Sequence, residues 1–521
     1  MNEWWRGAVI YQIYPRSFLD TDKDGVGNIA GITRQLDYVA RLGVDMIWIS
    51  PFYPSPMKDF GYDVSNYKDI EPVFGNLDDF AAMVEKADAL NIKVMIDLVL
   101  SHTSDQHPWF VESRASRENA KSDWYIWADA KPDGTPPNNW LSIFGGNAWE
   151  WDTSRRQYYM HNFLTAQPDL NFHNPDVVEA ALDVTEFWLK LGVHGFRLDT
   201  VNWYFHDKQL RDNPPSQGEK LLYVPESSNY GMQEHIYNKS RPEVLTFLEQ
   251  FRALLDQYGA IGLGELTAKA ANEMTPEYTA KDRRLHMVYT FALLTEGCSA
   301  SHFKQVIRTI ESHVGDGWVC WAFSNHDVVR TVSRWRRENV SMVQQAKFFL
   351  ALLLSLRGSL CIYQGEELGL PEAELAFEEL QDPYGIRLWP EYKGRDGCRT
   401  PMPWDDALPN GGFSTTKPWL PVPGAHVEKA VTVQQSDEDS VLQFTRKFLA
   451  WRKSQPAMLH GSLRVLESDD SLLVLERRYE NAAILAVFNV KESICDFDGS
   501  QYGYSKSQAK LPGYGMFFAE L

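Results

Sequence analysis

Four segments of the sequence carry side chains that can perform chemistry. Each lies at the end of an apolar, strand-like run and contains a carboxylate: Asp97–His102, Gly195–Asp199, Gly262–Glu265 and Phe323–Asp327. Closely spaced carboxylates beside an arginine can perform acid–base and nucleophilic chemistry on a neutral polar substrate. Arg197 and Asp199 are two positions apart, so both side chains point to the same side of a strand. There the guanidinium would keep Asp199 ionised.

The elements around these segments alternate between apolar strands and amphipathic helices. The predicted strands are Ala8–Ile13, Val44–Ile49, Lys93–Leu100, Gly195–Leu198, Ala260–Gly264, Met287–Ala292, Trp318–Phe323 and Leu360–Tyr363. The predicted helices are Ile32–Leu42, Leu77–Leu90, Pro175–Leu191, about 243–257, about 342–356 and Ser440–Lys453. Eight strands with interleaved helices predict a (β/α)₈ TIM barrel, whose active face lies at the carboxyl ends of the strands. The alternative is an open doubly wound sheet, but no Gly-x-Gly-x-x-Gly follows the first strand.

Three stretches interrupt or follow the alternation. Residues 103–172 are rich in Pro, Gly, Asn and Trp and too long for a loop, which predicts an inserted subdomain after strand 3. Residues 371–435 form a second Pro-rich excursion after strand 8. Short alternating strands within 457–521 predict a C-terminal antiparallel β-sandwich. The barrel would then comprise residues 1–102 and 173–456, including the second excursion.

Composition narrows the class of partner. With 51 basic and 70 acidic residues, the formal net charge of −19 disfavours nucleic acid and anionic membrane surfaces. The longest apolar run, Phe348–Leu356, is half a membrane span. Five cysteines without a C-x-x-C pair indicate neither a disulfide framework nor a cysteine zinc site. Residues Met1–Arg6 lack the pattern of a signal peptide, and we expect a cytoplasmic protein with a small neutral substrate.

In their order and spacing, the four segments resemble glycoside hydrolase family 13, the α-amylase family. The resemblance covers the barrel, the insert and the C-terminal domain. The run Gln167–Asn171 is similar to the motif of the oligo-1,6-glucosidase subfamily, which contains α-glucosidases, isomaltases, sucrose isomerases and trehalose synthases. Ser101 departs from the family, which usually has Asn at this position.

The resemblance implies a retaining double displacement. Asp199 would be the nucleophile, Glu265 the general acid and base, and Asp327 the group that binds the 2- and 3-hydroxyls of a distorted glucose ring. This route needs carboxyl groups about 5–5.5 Å apart. His102 and His326 would bind hydroxyls of the same glucose.

The resemblance also implies a closed pocket and therefore exo-action. Asp59 would bind the 4- and 6-hydroxyls of the non-reducing end, Tyr62 would stack on the ring, and Arg395 would pair with Asp59. Arg399 is a second candidate for that pairing, and a surface salt bridge is the alternative interpretation. Phe144, Phe163, Gln167 and Phe291 would line the pocket mouth, with simple packing as the alternative for the three Phe.

One residue bears on linkage preference. Thr200 directly follows the implied nucleophile. The subfamily resemblance implies that Thr or Ala at this position is typical of enzymes that cleave α-1,4 bonds, and Val of enzymes that cleave α-1,6 bonds. The sequence thus favours an α-glucosidase that acts on maltose and short α-1,4-glucosides, with transglucosylation as a side activity. Lys281–Arg284 does not reproduce the Arg-x-Asp-Arg-Asp run expected of a sucrose isomerase.

Other functions stay open at this point. Within enzymes, the alternatives are an isomaltase and a trehalose synthase. Outside enzymes, a non-catalytic protein on the same fold, such as a transporter heavy-chain ectodomain, would carry a membrane anchor and eroded carboxylates.

An acidic loop after the first strand is a candidate metal site. The run Asp20–Asn28 has oxygen ligands at alternate positions, a spacing that resembles the first half of a calcium loop. The subfamily resemblance implies Ca²⁺ or Mg²⁺ here in a structural role, held by Asp20, Asp22, Asp24, the carbonyl of Val26 and Asn28, and no organic cofactor. A solvated acidic turn is the alternative.

Overall fold

A computed structural model describes residues 3–218, 224–268, 271–280, 283–502 and 508–520. Its centre is a closed barrel of eight parallel strands, which confirms the predicted fold class. The barrel strands are Val9–Ile13, Met46–Ile49, Lys93–Leu98, Gly195–Leu198, Ile261–Leu266, Met287–Thr290, Val319–Ala322 and Ser359–Tyr363. The first and eighth strands pair in parallel, with Val9 opposite Leu360, and this pairing closes the barrel.

Helices alternate with these strands around the outside of the barrel. They are Ile29–Leu42, Leu77–Ala89, Pro175–Lys190, Val244–Tyr258, Ala271–Thr279, Ala300–His313, Met342–Ser355 and Val441–Lys453. Side-chain caps fix several starts: the Asn76 side chain accepts from the backbone N–H groups of Asp78 and Asp79, and the Asp79 side chain accepts from the backbone N–H of Asn76, which completes a capping box. Two of these helices, Ala271–Thr279 and Ala300–His313, were not among the predicted elements. Two shorter helices are Thr331–Arg334 and Pro456–His460.

The barrel interior is a packed core. Trp48, Met95, Leu263, Met287 and Tyr289 lie inside it and are fully buried. Because the interior is filled, a ligand can approach only at an end of the barrel, and the polar side chains follow the strands at their carboxyl ends.

The segment after the third strand folds as a small antiparallel unit beside the barrel. It contains the helix Pro108–Ala115 and a three-stranded sheet of Trp127–Ala128, Trp149–Asp152 and Gln157–Met160. Its return path is anchored to the barrel, because His102 forms an isolated antiparallel bridge with Asp169. This anchoring brings residues of the insert over the carboxyl ends of the strands.

The excursion after the eighth strand consists mainly of irregular chain with short helices. These are Pro383–Leu388, Asp396–Arg399, Gly424–Val427 and Val431–Ser436. The excursion places side chains at the same end of the barrel as the insert does.

The C-terminal region is antiparallel, as predicted. Four strands form one sheet in the order Ser462–Leu466, Leu472–Tyr479, Ala482–Asn489 and Met516–Glu520. Cys495–Asp498 pairs with Gln508–Leu511 in a second, two-stranded sheet. Leu472, Leu485, Phe497 and Leu511 form an apolar cluster between the two sheets. In the described part of the chain, no helix is long and apolar enough to span a membrane.

Candidate active site

Arg197 gathers the carboxylates that follow the barrel strands. The residue is 1% exposed, and its Nη1 atom lies 2.8 Å from Asp97 Oδ1 and 2.6 Å from Asp199 Oδ1. Its Nη2 atom forms an ion pair with the carboxylate of Glu265. One guanidinium therefore fixes three carboxyl groups from neighbouring strands.

Burial and the neighbouring charges shift the pKa values of these groups. It raises the pKa of Glu265 to about 8, despite the nearby charge of Arg197. It likewise raises the pKa of Asp97 to about 7. Burial alone would lower the pKa of Arg197, but the three surrounding carboxylates raise it well above its ordinary value, so the guanidinium stays charged. Glu265 is therefore a proton donor at neutral pH.

Thr200 connects two of these carboxyl groups. Its backbone N–H donates to Glu265 Oε2 across 2.9 Å, and its hydroxyl donates to Asp199 Oδ2 across 3.2 Å. The hydroxyl also lies 3.1 Å from the hydroxyl of Ser101, the position that departs from the family pattern. The Ser101 hydroxyl contacts His102 Nδ1 at 2.8 Å, so Ser supplies a polar partner for both neighbours.

At the opposite side of the site, two arginines neutralise two carboxylates. Arg395 Nη2 lies 2.9 Å from Asp59 Oδ1, which is the predicted pair. Arg395 Nη1 and Arg399 Nη2 lie 3.2 and 2.9 Å from Asp327 Oδ1. Arg399, the second candidate for Asp59, thus contacts Asp327 instead.

The charges around Asp327 decide its ionisation. Burial alone would raise its pKa, but the charges of Arg395 and Arg399 outweigh that effect and hold the pKa below its usual range. Asp327 is therefore ionised at neutral pH.

The two predicted histidines occupy different positions. His102 lines the pocket, and its Nε2 lies 2.8 Å from the carbonyl of Tyr62. His326 is fully buried behind Tyr62, with Nε2 2.6 Å from the Tyr62 hydroxyl and Nδ1 2.8 Å from Gln12 Nε2. Burial lowers the pKa of His326 to about 3, so its ring is neutral. Its Nε2 also lies 3.3 Å from Asp327 Oδ2, so the ring can position both Tyr62 and Asp327, while its predicted bond to a glucose hydroxyl stays a prediction.

Eleven of the predicted residues line one cavity of about 130 Å³. They are Asp59, Tyr62, His102, Phe144, Phe163, Asp199, Thr200, Glu265, Phe291, Asp327 and Arg395. The volume is roughly ten times that of a water site, which suits one small polar molecule. The aromatic side chains supply its apolar walls, and Asp59, Asp199, Glu265, Asp327 and Arg395 supply its charged groups.

Two further predicted residues lie behind the lining. Arg197 acts as the ion-pair centre described above, and Gln167 is fully buried. The Gln167 amide donates to Asp59 Oδ2 across 3.0 Å, which supports the Asp59–Arg395 pair from the insert.

Five lining residues were not predicted: Ile143, Trp203, Thr267, Tyr384 and Tyr392. Trp203 and Thr267 follow Asp199 and Glu265 by four and two positions, so the strand-end rule could have found them. The other three lie in the irregular insert and excursion, where no periodic pattern marks them. Of the Lys281–Arg284 run, Lys281 and Asp282 lie outside the described residues, and Arg284 pairs with Glu249 at 3.0 Å.

The acidic loop after the first strand is folded by its own hydrogen bonds. Asp20 accepts from the backbone N–H groups of Asp22, Lys23 and Gly25 at 2.7–2.9 Å and from the Ser414 hydroxyl at 2.5 Å. Asn28 caps the following helix. Among the described residues, no three Asp, Glu, His or Cys side chains are grouped so that they could hold a metal ion. The oxygen donors are of the type that Ca²⁺ takes, but in this arrangement they do not form a ligand set, and the metal site stays a prediction.

The site thus combines the carboxyl group of Asp199 and the protonated carboxyl group of Glu265, both fixed by one arginine. That pair can attack an electrophilic carbon and protonate its leaving group. The non-catalytic alternative expects these carboxylates to be eroded, whereas the structure brings all of them together.

Comparison with known proteins agrees with this chemistry. Residues 12–461 match the family model described as alpha amylase, catalytic domain. A probable alpha-glucosidase of Rhizobium meliloti (strain 1021) is 54% identical, over 100% of this chain and 97% of that protein. An oligo-1,6-glucosidase of Heyndrickxia coagulans is 37% identical, over 96% and 94%. The crystal structure of an alpha-glucosyl transfer enzyme is 50% identical, covers 100% of both chains and has a TM-score of 0.95. The chain therefore belongs to the α-amylase family, glycoside hydrolase family 13, and is an enzyme of its oligo-1,6-glucosidase and α-glucosidase group that acts on α-glucosides.

Proposed function

We propose that this enzyme is an exo-acting α-glucosidase that releases glucose from the non-reducing end of maltose and short α-1,4-glucosides. The observation that carries the proposal is the ion pair between Asp59 and Arg395, at 2.9 Å on the pocket wall. Gln167 supports this pair from behind, and Asp327 binds the other side of Arg395. A sugar held with C1 at Asp199 would thus meet a closed wall beyond its 4-hydroxyl, which leaves no path for a continuing chain.

The proposed reaction is a retaining double displacement. A carboxylate oxygen of Asp199 attacks C1 while Glu265 transfers its proton to the glycosidic oxygen, so the bond to the leaving alcohol breaks and a β-glucosyl ester forms. Glu265, now ionised, then removes a proton from a water that attacks C1, which frees Asp199. The pKa of about 8 for Glu265 supports the donor role, because the acid is protonated at neutral pH.

The glucosyl ester also supports transglucosylation as a side activity. An alcohol that enters in place of water takes the glucosyl group, and its hydroxyl proton goes to Glu265. The similarity to an alpha-glucosyl transfer enzyme at 50% identity favours this reaction.

The preference for one glycosidic linkage allows a second candidate function. Thr200 favours α-1,4 bonds, whereas the relative from Heyndrickxia coagulans is named an oligo-1,6-glucosidase. Isomaltase activity is therefore the main alternative, and trehalose synthase is a further one.

Product analysis separates these candidates. The enzyme is incubated with maltose, isomaltose, trehalose and sucrose in parallel, and products are followed by chromatography. We expect glucose from maltose at the highest kcat/KM, with oligosaccharides formed at high maltose. Faster cleavage of isomaltose would contradict the linkage proposal, and trehalose formed from maltose would contradict the hydrolase proposal. NMR spectra of the first-formed glucose should show the α-anomer, since inversion would yield the β-anomer.

A cytoplasmic location is a further proposal. It is supported by five cysteines that carry no disulfide framework in their spacing.

A further inference from the structure

We infer that Asp382, in the excursion after the eighth strand, is the positioning residue for the closed end of the pocket. It holds the Arg395 guanidinium in the one orientation that reaches both Asp59 and Asp327. The inference rests on the proposed exo-action, because binding of the non-reducing sugar is its readout.

Asp382 binds Arg395 through both of its carboxylate oxygens. Oδ2 accepts from Arg395 Nε across 3.0 Å and from the Arg395 backbone N–H across 2.8 Å. Oδ1 accepts from Arg395 Nη2 across 2.8 Å. Asp382 is fully buried, so water does not compete for these bonds. Such a bidentate ion pair fixes the orientation of the guanidinium plane as well as its distance from the carboxylate.

The orientation of that plane decides what the rest of the guanidinium can reach. Asp382 binds Nε and Nη2 of Arg395. In this orientation Nη2 also lies 2.9 Å from Asp59 Oδ1, and Nη1 lies 3.2 Å from Asp327 Oδ1. A single bond to Asp59 leaves a long arginine side chain free to rotate about it. Asp382 thus couples the closed end of the pocket to the carboxylate beside the reacting carbon.

The backbone around this pair is built for a close approach. Gly394 precedes Arg395 with φ +82°, and a Cβ there would lie 2.9 Å from Asp382 Oδ2 and 2.7 Å from the Cα of Gly385. Gly385 likewise has no space for a Cβ, because the carbonyl oxygen of Lys393 would lie 2.6 Å from it. Two glycines facing each other therefore allow the Asp382 segment to lie against the Arg395 segment.

Asp382 also fixes a wall of the pocket. Its Oδ1 accepts from the backbone N–H of Tyr384 across 3.1 Å, and the Tyr384 ring meets Phe144 edge-on with centroids 4.8 Å apart. Both Tyr384 and Phe144 line the cavity. Burial alone would raise the pKa of Asp382, but Arg395 outweighs burial and lowers the pKa to about 2, so the pair stays charged across the working pH range.

The first test is Asp382→Asn, which keeps the shape but removes one charge and one acceptor. We expect KM for maltose to rise about 10-fold with kcat within about 2-fold, since one charge-assisted bond is lost from sugar binding. The same substitution in an Arg395→Ala background should change kcat/KM by less than about 2-fold, because Arg395 is the route of the effect and an Asn side chain keeps an acceptor oxygen for the Tyr384 N–H. An equal loss in both backgrounds, or a fall in kcat alone, would overturn the inference.

A second variant reaches the same contact without removing a charge. Gly394→Ala places a methyl group against the Asp382 carboxylate and should raise KM in the same direction, whether or not Asp382→Asn folds. Circular dichroism and melting curves report folding of each variant. If the unaltered enzyme releases products longer than glucose from malto-oligosaccharides, exo-action is wrong. If it releases only glucose and Gly394→Ala keeps its KM, exo-action stands and the role of Asp382 is wrong.

Discussion

The backbone N–H of Thr200 donates to Oε2 of Glu265 across 2.9 Å. Thr200 reaches this position in a left-handed conformation, with φ +40° and ψ +47°, which β-branched residues rarely adopt. Its hydroxyl meanwhile contacts Asp199, the residue directly before it. A strained residue between the strand and the next turn therefore sets how Asp199 and Glu265, the proposed reacting carboxyl groups, face each other.

The protonation of Glu265 predicts the alkaline limit of activity. Its pKa is raised to about 8, so the acid is protonated below that pH and loses its proton above it. We expect kcat/KM for maltose to fall as the pH rises through about 8, because the leaving oxygen then lacks its proton donor. Initial rates across the alkaline range test this, and a rate that stays level to about pH 10 would contradict the assignment.

Replacement of the two reacting carboxyl groups should give different patterns. Glu265→Gln should lower kcat/KM for maltose by about 10²–10⁴-fold, the typical contribution of a positioned proton donor. α-Glucosyl fluoride, whose leaving group needs little protonation, should recover most of the first step in this variant. Asp199→Asn should be inactive on both substrates because no nucleophile remains. Recovery of Asp199→Asn by the fluoride, with none for Glu265→Gln, would reverse the two roles.

The barrel could be predicted because local sequence agrees with the tertiary structure there. Strands such as Lys93–Leu98 are continuous apolar runs, and helices such as Leu77–Ala89 begin at a clear cap. Ala271–Thr279 was missed because it is short and contains Pro276. Ala300–His313 was also missed, although Phe303, Ile307 and Ile310 carry helical spacing.

The site could be predicted where residues follow barrel strands. How deeply each residue is buried was not predictable: the sequence does not show that His326 lies behind Tyr62 rather than on the pocket surface. Tyr384 and Tyr392 were missed because long-range contacts, such as the one between Asp59 and Arg395, place the irregular excursion. Such contacts leave no periodic signal in the sequence.

Metal removal tests the acidic loop independently of activity. If Asp20, Asp22, Asp24, the Val26 carbonyl and Asn28 rearrange around an ion, excess Ca²⁺ should raise the Tm, since saturation at 100-fold over Kd adds about 2.7 kcal/mol to the free energy of unfolding. EDTA should reverse the shift, while the rate on maltose at room temperature stays the same because this loop does not line the cavity. Asp24→Ala is the matched variant and should show no response to Ca²⁺. Equal Tm values for the unaltered enzyme in Ca²⁺ and EDTA would favour the solvated turn.

Substitution of Thr200 tests the origin of linkage preference. Thr200→Val keeps the branched shape that the left-handed backbone already accommodates, but removes the hydroxyl that contacts Asp199 and Ser101. We expect the ratio of kcat/KM for isomaltose to that for maltose to rise about 10-fold, which is the scale of discrimination that one small group provides. Thr200→Ala is the matched control, because it also removes the hydroxyl, and Ala at this position resembles the α-1,4 cleavers. A ratio that rises in Thr200→Val and stays near the original in Thr200→Ala assigns the preference to the branched apolar side chain of Val rather than to loss of the hydroxyl. Equal ratios in all three enzymes would place linkage selection elsewhere, on the walls formed by the insert and the excursion.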